Sequence, residues 1–193
     1  MAIPKILVLA SSTRTGSYNV KLAALAAKEL TLIDAEVTRI SLADYELPLY
    51  DPDLDARGGQ PANALRLKQM MMAHHGVFIA SAEYSASVTP VLKNAIDWVA
   101  RVRERGDPAY AAFKGRVFSI GAASVDPSGG LRSLIALRQI LELGCGALVI
   151  PEQVTIASAD QAFDDMDNII EARTANQFRA QLARLAEMAQ LMM

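Results

Sequence analysis

Nine consecutive residues, Ser11-Ser12-Thr13-Arg14-Thr15-Gly16-Ser17-Tyr18-Asn19, bring together five Ser or Thr hydroxyls, one guanidinium and one glycine just before a stretch with helical periodicity. A helix N-terminus offers unpaired N–H groups and a partial positive charge. Hydroxyls and an arginine added there can hold a phosphate dianion. The bland reading of the same residues is a helix cap, with Ser17 or Thr15 capping and Arg14 in water. The loop has neither the Gly-Lys-Ser/Thr of triphosphate-binding loops nor the Gly-x-Gly-x-x-Gly of dinucleotide folds, which disfavours both of those ligands. Two further stretches carry unusual chemistry: Ser81 to Trp98, and the small, flexible run Gly121 to Gly130.

The elements that must position these loops follow from apolar patterning. Ile6–Ala10 is a continuous apolar run, the pattern of a strand covered on both faces. Ser17–Leu32 has the spacing of an amphipathic helix. Val37–Ile40 reads as a second strand, Ser41–Gln60 as a long irregular loop, and Ala62–His75 as a helix. Gly76–Ser81 reads as a third strand, and Pro90–Arg103 as a helix with proline at its first turn, where a missing N–H is harmless. Val117–Gly121 is a fourth strand, Gly130–Leu143 a helix, Ala147–Ile150 a fifth strand ending at Pro151, and Met166–Met193 the last helix. Strand and helix alternate five times, which predicts a parallel sheet with helices on both faces. Ligands of such sheets bind outside the carboxyl ends of the strands. The three unusual loops follow strands one, three and four.

Glu83-Tyr84 followed by Leu92-Lys93-Asn94-Ala95-Ile96-Asp97-Trp98 is similar to the signature of the NADPH-dependent FMN reductase family, which includes quinone, azo-dye and chromate reductases. The first loop resembles that family's Gly-Ser-x-Arg-x-x-Ser-x-Asn element at Ser12, Arg14, Ser17 and Asn19. The resemblance spans nearly the whole chain. It implies a single flavodoxin-like FMN-binding domain over residues 1–193, a three-layer α/β/α sandwich whose five-stranded parallel sheet has the order 2-1-3-4-5. By the same resemblance, Ser12, Arg14, Ser17, Tyr18 and Asn19 surround the FMN phosphate. Ala82, Glu83, Tyr84 and Ser85 border the isoalloxazine ring, and Ser124 reaches its pyrimidine edge. Lys93, Asn94, Asp97 and Trp98 are read as structural, anchoring loops and filling the core. The chain departs from the family pattern at Ser11, where glycine is usual, at Ala82 and Ser85 in place of Pro and Asn, and at Thr89-Pro90 in place of Pro-Gly.

The implied activity is an NAD(P)H-dependent oxidoreductase in which NADPH or NADH delivers hydride to flavin N5 and electrons pass on to a small-molecule acceptor. That acceptor is free FMN, a quinone, an azo compound or a metal oxyanion. The flavin carries the chemistry, so no side-chain nucleophile is expected. Two other readings stand beside it: a flavodoxin-type electron carrier, and a domain that has lost its flavin and serves as a scaffold. Such carriers are usually strongly acidic, whereas this chain of 193 residues has a formal charge of −2. The same balance gives no general attraction to nucleic acid. The lone Cys145 excludes an intrachain disulfide and a paired-cysteine zinc site, and is read as a buried thiol. His74 and His75 sit where a helix ends and are assigned no chemistry, so no metal is expected. The apolar run at the N-terminus is too short for a signal sequence or a membrane span. A cytoplasmic protein with no membrane partner is the expectation, forming a homodimer or homotetramer. Phe178, Leu182, Leu185, Ala189 and Met192 form one helical stripe that packs either on the sheet or on a second subunit.

Overall fold

The computed structural model describes residues 3–193. Five parallel strands, β1 (Lys5–Ala10), β2 (Glu36–Ser41), β3 (Gly76–Ala80), β4 (Val117–Ala123) and β5 (Leu148–Ile156), form one sheet in the order β2-β1-β3-β4-β5. The order predicted for the strands is the one observed. The central strands are buried on both faces, and side chains alternate between two cores. Ile6, Val8 and Phe78 meet helices α1 (Tyr18–Leu32) and α6 (Ala172–Leu191) on one side. Leu7, Leu9, Val77, Ile79 and Ile120 meet α3 (Ala62–Met72), α4 (Pro90–Arg101) and α5 (Leu131–Gln139) on the other. The stripe Phe178, Leu182, Leu185 and Ala189 is spent on the sheet.

Several element ends shift by one to three residues, and three stretches depart further from the sequence reading. The stretch 41–60 contains a 3-10 turn at Leu42–Asp44 and a short helix, α2 (Pro52–Gly58), started by the Asp51 carboxylate, which accepts from the Asp53 N–H at 2.8 Å, and by proline at the first turn. Strand β5 continues through Pro151 to Ile156. It is an edge strand, and its register against β4 shifts between Phe118 and Ile120, so proline sits at a bulge. Arg138 fills that bulge, donating to the Ile150 carbonyl at 2.9 Å and to Gln153 at 3.2 Å. The last helix begins at Ala172, capped by Glu171, rather than at Met166. Before it, the Asp164 carboxylate accepts from the N–H groups of Met166 and Asn168 and bends the backbone into a turn. A one-turn π-helix, Ile140–Gly144, extends α5. Among the described residues, no helix is long and apolar enough to cross a membrane.

Strand order reverses between β1 and β3. Their adjacent carboxyl ends bring the first two unusual loops side by side, and β4 sets the third next to them.

Candidate functional site

The first loop leaves β1 at Ser11 and enters α1 at Tyr18. Gly16 supplies the left-handed turn, with φ of +69°. Ser17 takes the N-cap position and is buried, yet its hydroxyl makes no capping bond. The N–H groups of Tyr18 and Asn19 likewise find no partner among the described residues. Ser12 is buried, and its Oγ accepts from the Arg14 N–H at 3.3 Å. Arg14 is exposed and has no acidic partner among the described residues. No carboxylate side chain lies between residues 11 and 19. Unspent helix donors, an unspent cap hydroxyl and a free guanidinium are a donor set that fits a phosphate dianion.

Tyr18 and Asn19 face other parts of the protein. Tyr18 stacks on Phe163 with ring centroids 6.5 Å apart and planes 4° from parallel. Beside it, Lys21 pairs with Asp167 at 2.5 Å, so the segment after β5 is strapped to the start of α1. The Asn19 carboxamide bonds both backbone groups of Ala123, donating to its carbonyl at 2.8 Å and accepting from its N–H at 3.0 Å. It ties the first loop to the end of β4.

The second loop starts at Ser81. Its turn, Tyr84 to Ser87, is closed by a reciprocal pair of backbone bonds at 3.0 Å, with Ser85 and Ala86 at φ of +49° and +61°. Positive φ at both central positions makes this the mirror-image turn that favours Asn-Gly. Tyr84 stands 48% exposed at its rim. Glu83 turns the other way. Its carboxylate accepts from Arg132 Nε at 2.5 Å, from the Arg132 N–H at 3.1 Å and from the Ser133 N–H at 3.4 Å. The residue expected to border the ring therefore caps α5, whose own N-cap, Gly130, has no side chain.

The third loop is fixed by both neighbours. Ser124 donates its N–H to Ile156 O at 2.9 Å, and its Oγ accepts from the Asp126 N–H at 3.2 Å. Gly130 has φ of +88°, and a Cβ there would lie 2.7 Å from the Ala122 Cβ, so both conformation and space demand glycine. Ser133 Oγ bridges to the carbonyls of Ser81 and Gly130. Sequence reasoning missed Arg132 and Ser133 as members of this site. The only signal was the Gly129-Gly130 pair in front of a helix.

Of the four residues read as structural, Lys93 and Asp97 pair with each other on the surface of α4, and Asn94 and Trp98 anchor a loop. Asn94 accepts from the Tyr50 N–H at 2.7 Å and donates to Pro48 O at 2.9 Å, and Trp98 Nε1 donates to the same carbonyl at 2.7 Å. They pin the segment before α2. Cys145 is buried, and burial, with the nearby Asp97 charge, pushes its thiol up to about 11. Burial likewise holds His74 below the ordinary histidine value, with its Nδ1 against the Met70 carbonyl. Two open clefts of about 260 Å³ flank the first loop, one reaching from Ser12 to Arg39 and Asp44, the other from Thr13 to Tyr45 and Val91.

Comparison with known proteins agrees with this geometry. An NAD(P)H-dependent FMN reductase of Pseudomonas aeruginosa is 34% identical over 183 residues, covering 94% of this chain and 92% of the relative. A quinone reductase of Escherichia coli is 31% identical over 189 residues, covering 96% and 95%. In fold, the chain is similar to FerB, a flavoenzyme NAD(P)H:(acceptor) oxidoreductase from Paracoccus denitrificans, with a TM-score of 0.80 at 23% identity and 98% of each chain covered. Residues 4–161 match the model of one family along the stretch that carries all three loops, and the chain belongs to that family, the NADPH-dependent FMN reductases.

Proposed function

We propose that the whole chain acts as one FMN-binding domain, an NAD(P)H-dependent oxidoreductase that reduces a small acceptor such as a quinone. The observation that carries this reading is the unspent donor set at the start of α1, set beside the turn Tyr84–Ser87 at the reversal point of the sheet. Ser12, Arg14, Ser17 and the N–H groups of Tyr18 and Asn19 would hold the phosphate. Ala82, Tyr84 and Ser85 would border the ring, with Ser124 near its pyrimidine edge. Glu83 and Asn19 would act by fixing the loops. FMN held there would supply the redox chemistry, hydride acceptance from a reduced nicotinamide and electron transfer to the acceptor. The chain's contribution would be to border the ring with two anchored loops and to concentrate positive potential at the phosphate.

A second subunit near the site is part of this reading, as a homodimer or homotetramer. Tyr84, Val125, Leu131 and Ile135, all exposed apolar side chains of the second and third loops and α5, support it. A cytoplasmic location fits the unpaired thiol of Cys145.

The test is the visible spectrum of the purified protein with FMN, before and after anaerobic addition of NADPH. Bleaching of a protein-bound flavin supports the proposal. A bound flavin that neither NADPH nor NADH reduces would refute it in favour of an electron carrier, and failure to bind FMN would refute both.

A further inference from the structure

We propose that Ser11 and Thr89 are positioning residues that set the distance between the phosphate-side and ring-side halves of the site; this rests on the reading of FMN as the ligand. Ser11 is fully buried and Thr89 is 1% exposed. Every polar group of Ser11, backbone and side chain, points across to the neighbouring strand and its loop. Its N–H donates to Ala80 O at 2.9 Å, its Oγ accepts from the Ala82 N–H at 2.7 Å, and its carbonyl accepts from Thr89 Oγ1 at 2.6 Å. Thr89 in turn caps α4, accepting from the Leu92 N–H at 3.3 Å.

One residue at the root of the phosphate-side loop therefore grips the ring-side loop at both its beginning, Ala82, and its end, Thr89. Between those grips the chain makes only the tight turn Tyr84–Ser87, whose two central residues hold strained positive φ. Beyond Ala80 the β1–β3 ladder has run out, and side-chain hydroxyls continue it. A ligand that spans both loops gains from its second contact only as far as the two halves are held at the matching distance. The hydroxyls hold that distance without touching the ligand.

The experiment separates the halves of the ligand. Flavin-free protein is titrated with FMN, with riboflavin, which lacks the phosphate, and with inorganic phosphate, for wild type, Ser11→Ala, Thr89→Val and the hydroxyl-retaining Thr89→Ser. Circular dichroism and thermal unfolding establish that each variant is folded. The expected result is an FMN Kd raised about tenfold or more in Ser11→Ala and Thr89→Val, as loss of a matched bivalent geometry requires, while riboflavin and phosphate each change by less than about threefold. Thr89→Ser stays near wild type. Folded variants that bind FMN as wild type does, or that lose FMN and riboflavin in equal proportion, overturn the proposal. Should Ser11→Ala not fold, the Thr89→Val and Thr89→Ser pair decides by the same comparison. Wild-type protein that binds no FMN overturns the functional reading itself, a different result from tight wild-type binding that persists in the variants.

Discussion

Glu83 and Arg132 look like an ordinary ion pair, but the geometry divides their work unequally. The Glu83 side chain is 8% exposed and that of Arg132 52%. Arg132 has a second, looser acid at 3.7 Å, Asp126, and water on its open side. Replacing Arg132 with Ala removes a half-exposed ion pair and leaves the carboxylate on the backbone of α5, at a cost of about 0–1 kcal/mol. Glu83→Ala instead takes the acceptor from the Arg132 N–H, while the Ser133 N–H keeps Gly130 O at 3.1 Å. The unmade bond costs about 1–3 kcal/mol, and the lost charge at a helix N-terminus adds about 0.3–1 kcal/mol. The expected order is Glu83→Ala at about 1.3–4 kcal/mol, Glu83→Gln at about 1 kcal/mol because the amide oxygen still accepts, and Arg132→Ala smallest. Urea unfolding of the flavin-free proteins, extrapolated linearly to water, measures all three. Repeating it in about 1 M salt should leave the cost of Glu83→Ala largely intact, since screening acts on the exposed pair rather than on the cap. Equal losses for Glu83→Ala and Arg132→Ala, erased by salt, would show that the energy lies in the ion pair and that the capping argument is wrong.

Removing the guanidinium in Arg14→Ala should weaken FMN binding by about 1.5–3 kcal/mol and leave riboflavin binding unchanged, as read by flavin fluorescence titration. Equal effects on both ligands would move the phosphate elsewhere. At Ala86, φ of +61° costs an alanine about 1–2 kcal/mol, while glycine loses about 0.5–1 kcal/mol in unfolded-state freedom. Ala86→Gly should therefore stabilise the protein by about 0.5–1 kcal/mol in urea unfolding, and a loss of stability would count against the turn geometry. With its thiol pushed up to about 11, Cys145 holds little thiolate at pH 8. A disulfide reagent should label it slowly in the native protein, faster as pH rises and quickly in urea; rapid native labelling at pH 8 would contradict its burial.

Element order and the ligand-side loops could be read from the sequence because they depend on local signals: unbroken apolar runs for buried strands, and hydroxyls with glycine ahead of a helix. Where the reading fell short, the cause was a local rule overridden by position in the fold. Pro151 ends a strand by propensity, yet on an edge with a bulge its missing N–H breaks no ladder bond, so β5 runs on to Ile156. Asp51-Pro52 is a helix start that was legible but lost among turn-forming neighbours. The family resemblance implies Asn19 and Glu83 as ligand contacts, and it says nothing of what else holds their side chains. Their side chains are engaged by Ala123 and by Arg132 with Ser133, which lie 104 and about 50 positions away. Residue type reveals capacity to bond, whereas the partner is fixed by topology.

The same distinction explains the departures from the family pattern. Ser11, Ala82 and Thr89 look like three independent losses, of a glycine that frees the backbone and of two prolines that fix φ. In the folded chain they are one unit. Proline at 82 has no N–H to satisfy; alanine brings one into a buried place, where leaving it unpaired costs about 1–3 kcal/mol. The Ser11 hydroxyl, absent from a glycine, stands 2.7 Å away and accepts it. Thr89 gives up proline's rigidity and replaces it with bonds to Ser11 O and from the Leu92 N–H. The loop that would border the ring is thus held by hydrogen bonds where its relatives' pattern holds it by covalent restriction, and each of the three residues makes sense only with the others in place.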